Sequence, residues 1–152
     1  MVKRKDFVKL ALDLGYVLMG QDGSHMVFSH EKLPKLSIIN HQNTSNELSP
    51  GVIESIYDHF MLSIFVEASE EHNFALNEEV RKAMEKRIRK VKEPEMRQSL
   101  EKMQKALFKD AKLGIYKFLS KKAKLEIKEG ERNHEGAVKY IQKMSNKNKG
   151  GK

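Results

Sequence analysis

The spacing of hydrophobic positions changes near residue 60: short apolar runs broken by turn residues give way to long charged stretches with helical periodicity. Phe7, Leu10, Ala11 and Leu14 recur three and four residues apart, predicting an amphipathic helix over Lys3–Leu14 that Gly15 ends. Tyr16–Gln21 reads as a strand, Asp22-Gly23 as a tight hairpin turn and Ser24–His30 as the second strand. A loop containing Pro34 leads to a third strand, Leu36–His41. After the polar loop Gln42–Glu47, Ser49-Pro50 opens another helix, serine suiting the N-cap and proline the first turn. Its apolar face is Val52, Ile53, Ile56 and Phe60.

Beyond this point the pattern is helical. Leu76, Val80, Met84, Ile88 and Val91 form a stripe that breaks at Pro94, and a second stripe runs from Met96 through Leu100, Met103, Leu107, Ala111 and Ile115 to Phe118. Gly130 and Gly136 bracket a break before a short helix, Ala137–Met144, and a polar tail. The expected class is α+β: an α-β-β-β-α unit over 1–60, an all-α extension of unassigned role over 61–144, and a flexible basic tail over 145–152.

Composition narrows the chemistry. Apolar residues make up 39% of 152, enough for a modest core. The longest apolar run, Phe60–Val66, is too short to span a bilayer, and no signal-peptide core opens the chain, so a cytoplasmic protein without a membrane partner is expected. The absence of cysteine excludes thiolate metal sites and cysteine nucleophiles. No zinc, P-loop or dinucleotide spacing occurs, so neither metal nor cofactor is expected. Charge is uneven: residues 1–60 hold six Lys/Arg against seven Asp/Glu, whereas residues 103–152 hold fourteen against five. The basic segment suits phosphates, or is simply a solvated lysine-rich surface.

Turn positions also give a strand register. A two-residue loop at Asp22-Gly23 sets Gly20 opposite His25, and a five-residue loop over Glu31–Lys35 sets His25 opposite His41. One face then collects Val17, Met19, Met26, Phe28, Leu36 and Ile38 for the core. The other holds Tyr16, Leu18, Gly20, His25, Val27, Ser29, Ile39 and His41, with the two histidines adjacent. Imidazoles exchange protons near neutral pH, and RNA cleavage without a metal needs the 2′-hydroxyl deprotonated and the leaving 5′-oxygen protonated. The plain alternative is that both are surface strand residues. His30, His59, His72 and His134 lack such an arrangement and read as surface or packing residues.

The combination of Gly15-Tyr16, Gly23-Ser24-His25 with Phe28, His41, and Leu48-Ser49-Pro50-Gly51 at a helix start resembles the HicA family over about residues 3–60. The resemblance implies a double-stranded-RNA-binding-domain-like fold and a toxin that cleaves mRNA, held in check by a partner antitoxin. It places the catalytic histidine at His25 and a second histidine, an assistant, at His41. Ser24, Lys32, Lys35, Lys121, Lys122 and Lys124 are the candidate RNA-binding residues. Ile39 stands where the family usually has proline, and the segment lacks the family's strong positive charge. Two further readings stand beside a ribonuclease: a non-catalytic RNA-binding module, and a protein-interaction module whose apolar open face docks a partner. A further expectation is that the extension itself covers that face as a built-in inhibitor.

Overall fold

The computed structural model describes residues 2–23, 25–39, 48, 50–110, 113–119 and 121–150. Helix α1 (Arg4–Asp13) leads into strands β1 (Val17–Asp22), β2 (His25–Ser29) and β3 (Leu36–Ile39), and then into the long helix α2 (Pro50–Ser69). The α-β-β-β-α order and the helical remainder agree with the expected α+β class. The antiparallel sheet has the order β1-β2-β3, so β1 and β3 are its edges. Gly15 adopts φ +93°, which a side chain would resist, and lets the chain reverse out of α1 with Tyr16 N–H donating to the Ala11 carbonyl at 3.0 Å.

The register differs from the sequence reading in both ladders. In the first hairpin Asp22 pairs with His25, so Asp22-Gly23 is not the two-residue turn; Gly23 follows the pair with a positive φ. Gly20 consequently lies opposite Val27, not His25. The register then slips between Leu18 and Gly20, inserting Met19 as a bulge. A bulge reverses which side chains face the core. Tyr16, expected on the open face, is buried against His30 and Phe60, while Val17 and Met19, expected inside, are 58% and 65% exposed.

In the second ladder Phe28 pairs with Leu36 and His25 with Ile39. The connection is two residues longer than expected because it turns inward: His30 and Leu33 are both buried. A slip of two preserves the faces. Phe28, Leu36 and Ile38 therefore still enter the core, with Met26 packed beside them.

Helix α2 crosses residue 60 without a break. Its first half packs behind the sheet, where Phe7 meets Tyr57 edge-on at 5.5 Å between ring centres. From Phe60 to Ser69 every residue except Glu67 is buried, because α3 (Glu78–Arg89) and α4 (Pro94–Lys109) pack against it. A helix apolar on all sides needs such a sheath. Ser63 and Ser69 satisfy their hydroxyls on the Leu14 and Phe65 carbonyls. Val80, Met84, Ile88 and Val91 bury the first predicted stripe, and Met96, Leu100 and Leu107 the second.

The second stripe does not continue as one helix. α4 stops at Lys109, and the chain returns through α5 (Gly114–Lys117), where a side chain on Gly114 would meet the Leu107 carbonyl at 2.6 Å. After α6 (Lys121–Glu126), α7 runs from His134 to Gly150, so the expected flexible tail is helical as far as it is described. Among the described residues no helix is long and apolar enough to cross a membrane.

Candidate active site

His25 opens β2, exposed, between Asp22 of β1 and Ile39 of β3 in the register. Its Nδ1 lies 3.0 Å from the hydroxyl of Ser37, a contact between neighbouring strands. Ser37 sits opposite Val27, one rung diagonal from His25 and on the same face. With Nδ1 engaged, Nε2 is the ring nitrogen left to meet a substrate. Gly20 and Ser37 are exposed as well, and α3 and α4 pack on the second half of α2. No described helix covers this face, which removes the expectation that the extension masks it.

The register puts a different residue opposite His25. Ile39 occupies the position opposite His25 that the sequence reading assigned to His41. His41 and Ser24 lie outside the described residues, as do the side chains of Lys121 and Lys122.

The remaining histidines show why exposure distinguishes His25. His30 is buried edge-on to Tyr16, its Nδ1 accepting from the Lys32 N–H at 3.0 Å, and desolvation holds its pKa below the ordinary value. His59 is buried with Nδ1 2.8 Å from the Ser55 carbonyl, and desolvation lowers its pKa too. These rings are packing groups kept neutral by burial. His72 pairs with Glu79 at 3.4 Å.

The candidate lysines divide by partner. Lys32 is bound to Glu70 at the end of α2, with Glu67 at 4.0 Å, and only 15% of its side chain is exposed. A phosphate at Lys32 would have to displace a carboxylate from this intramolecular ion pair. Lys35 is exposed. Both lie in the connection that leaves the far end of β2, which is about 13 Å along the strand from His25. Lys124 is half-buried on α6, its Nζ 5.5 Å from the centre of the Tyr116 ring.

The sequence points to Leu18 on the open face but not to Ser37, nor to Val17 and Met19 of the exposed strip on β1. Serine in a strand is unremarkable until register is known; two residues before Ile39 on the His25 face was the available signal. Val17, Leu18 and Met19 form an exposed apolar run because the bulge breaks alternation on an edge strand. A groove of about 750 Å³, floored by Leu10, Leu14, Ile64, Val91 and Met96, crosses from α1 and α2 to α4, away from His25.

Comparison with curated proteins and with solved structures gives no match. A family model does match: residues 4–61 fit that of the HicA toxin of bacterial toxin-antitoxin. The matched segment begins with α1, holds the whole sheet and ends within α2. With the helix, the sheet and the exposed His25 all inside that segment, residues 4–61 form a HicA-family toxin domain, which the remaining helices extend.

Proposed function

We propose that the chain is an mRNA interferase that cleaves RNA without a metal, using His25 as general acid or base. The observation that carries this reading is the exposed imidazole of His25, tethered through Nδ1 to Ser37 on an open sheet face within a HicA-family domain. In the reaction the 2′-oxygen bonds to phosphorus as its proton passes to a base. The bond to the 5′-oxygen breaks, and an acid protonates that oxygen, leaving a 2′,3′-cyclic phosphate and a 5′-hydroxyl. His25 takes one of these proton transfers through Nε2, and His41 is the proposed assistant for the other. Ser24, Lys35, Lys121, Lys122 and Lys124 are proposed to hold the RNA backbone. The enzyme would work in the cytoplasm, on mRNA, and an antitoxin protein would restrain it.

The test is incubation of the purified full chain with mixed mRNA in EDTA beside His25→Ala. Cleavage by the parent alone, with cyclic phosphate ends, supports the reading. Equal cleavage by a pure His25→Ala variant overturns it.

One observation favours a second reading. The exposed Val17, Leu18 and Met19 suit a protein-docking module more than a nucleic-acid surface. That reading gains if the parent cleaves nothing and forms a defined complex without RNA. A salt-sensitive RNA complex that survives His25→Ala, again without cleavage, would instead mark a binding module.

A further inference from the structure

We infer that Ser37 is the positioning residue for His25, an inference that rests on the ribonuclease reading above. The two side chains project from adjacent strands whose pairing runs from His25–Ile39 through Met26–Ile38 and Val27–Ser37 to Phe28–Leu36. The Ser37 hydroxyl is therefore set by a ladder and not by a loop. It meets Nδ1 of His25 at 3.0 Å. An exposed histidine otherwise samples several rotamers and both ring orientations. The bond selects the one that keeps Nδ1 against the sheet and leaves Nε2 for the reacting oxygens.

A hydroxyl suits this task because it both donates and accepts. It accepts from Nδ1–H when Nε2 is the free base, and equally when the ring is an imidazolium. It donates to Nδ1 when Nε2 carries the only proton. The ring is thus held through a change of protonation state without a charge that would favour one state. A carboxylate in the same place would stabilise the imidazolium and slow the return of its proton.

The experiment compares the full-length parent with Ser37→Ala and Ser37→Thr, threonine keeping the hydroxyl and suiting a strand. Rates of RNA cleavage are measured beside the side-chain three-bond couplings of His25 by NMR. Ser37→Ala should lower kcat about three- to tenfold with KM unchanged, and average the His25 couplings over rotamers. Ser37→Thr should restore both. The inference is overturned by parent-like kcat in Ser37→Ala, by Ser37→Thr as slow as Ser37→Ala, or by couplings already averaged in the parent. A parent that cleaves no RNA sinks the ribonuclease reading alone, and the couplings still decide whether Ser37 orients His25.

Discussion

The two halves of α2 lie in different surroundings. Pro50, Gly51, Glu54 and Ser55 in the first half face solvent while Ile56 and Tyr57 back the sheet; in the second half only Glu67 is exposed. One-sided burial leaves room for polar residues on the other side. All-round burial leaves none, and the serines there survive only because main-chain carbonyls accept their protons. The difference teaches that the extension is not tethered to a finished domain. It supplies the far wall of a core that begins at the sheet, while the face carrying His25 stays outside that core.

The largest expected effect separates site from core. His25→Ala should lower cleavage by about 10²–10⁴-fold, the usual contribution of a positioned acid or base. Because the ring is exposed, the thermal midpoint should not move. A variant that loses activity and melts early would place His25 in the core and end the comparison.

Next comes the sheathed half of α2. Phe65 is buried against Phe74, and Phe65→Ala should cost about 3–5 kcal/mol in urea unfolding. The parent should unfold in one transition, since both halves of α2 share one cluster. Two separate transitions would mean that sheet and sheath fold independently.

A smaller effect tests Asp58, which is half-buried on the first half of α2. Desolvation, with Glu54 adding, pushes its carboxyl up to about 7. The folded chain then holds a proton that the unfolded chain has lost, so this group's contribution falls as pH rises from about 4 to about 7 and is constant above. Asp58→Asn cannot ionise. Its melting midpoint should match the parent's in acid and exceed it above about pH 7, with the gap opening between. A gap independent of pH would show that Asp58 titrates alike in the folded and the unfolded chain.

The smallest effect concerns Lys32. Lys32→Met breaks the pairing to Glu70 and Glu67 and should cost about 0.2–1 kcal/mol of stability. RNA affinity should be unchanged, whereas Lys35→Ala should lower it. Equal losses of affinity from the two would return Lys32 to the RNA surface.

Much of this arrangement was legible in the chain. The period of Val80, Met84 and Ile88 marked a buried stripe, Gly15 marked the end of α1, and Pro94 marked the start of α4. The exposed His25 was legible too. Pairing was harder, because alternation reports which face a residue shares and not which residue it meets. A slip of two between β2 and β3 left Phe28 and Ile38 inside yet exchanged His41 for Ile39 beside His25. A bulge of one at Met19 put Tyr16 in the core. Lys32 looked free because its partner Glu70 is far along the chain and arrives only when α2 is folded.

The bulge at Met19 also determines what kind of change β1 can absorb. Side chains at Val17, Leu18 and Met19 face outward and can be exchanged for others with little penalty to the core. Length matters in a different way. A regular ladder over the full strand would turn the Tyr16 side out and the Val17 side in, stripping His30 and Phe60 of the ring they pack against, whereas deleting Met19 would close the bulge and leave Leu18 opposite Phe28 and Val17 opposite Ser29, with Tyr16 still inside. Along this strand, then, descent can change the outward letters or drop the extra residue; the inherited character is the pairing that keeps Tyr16 inside.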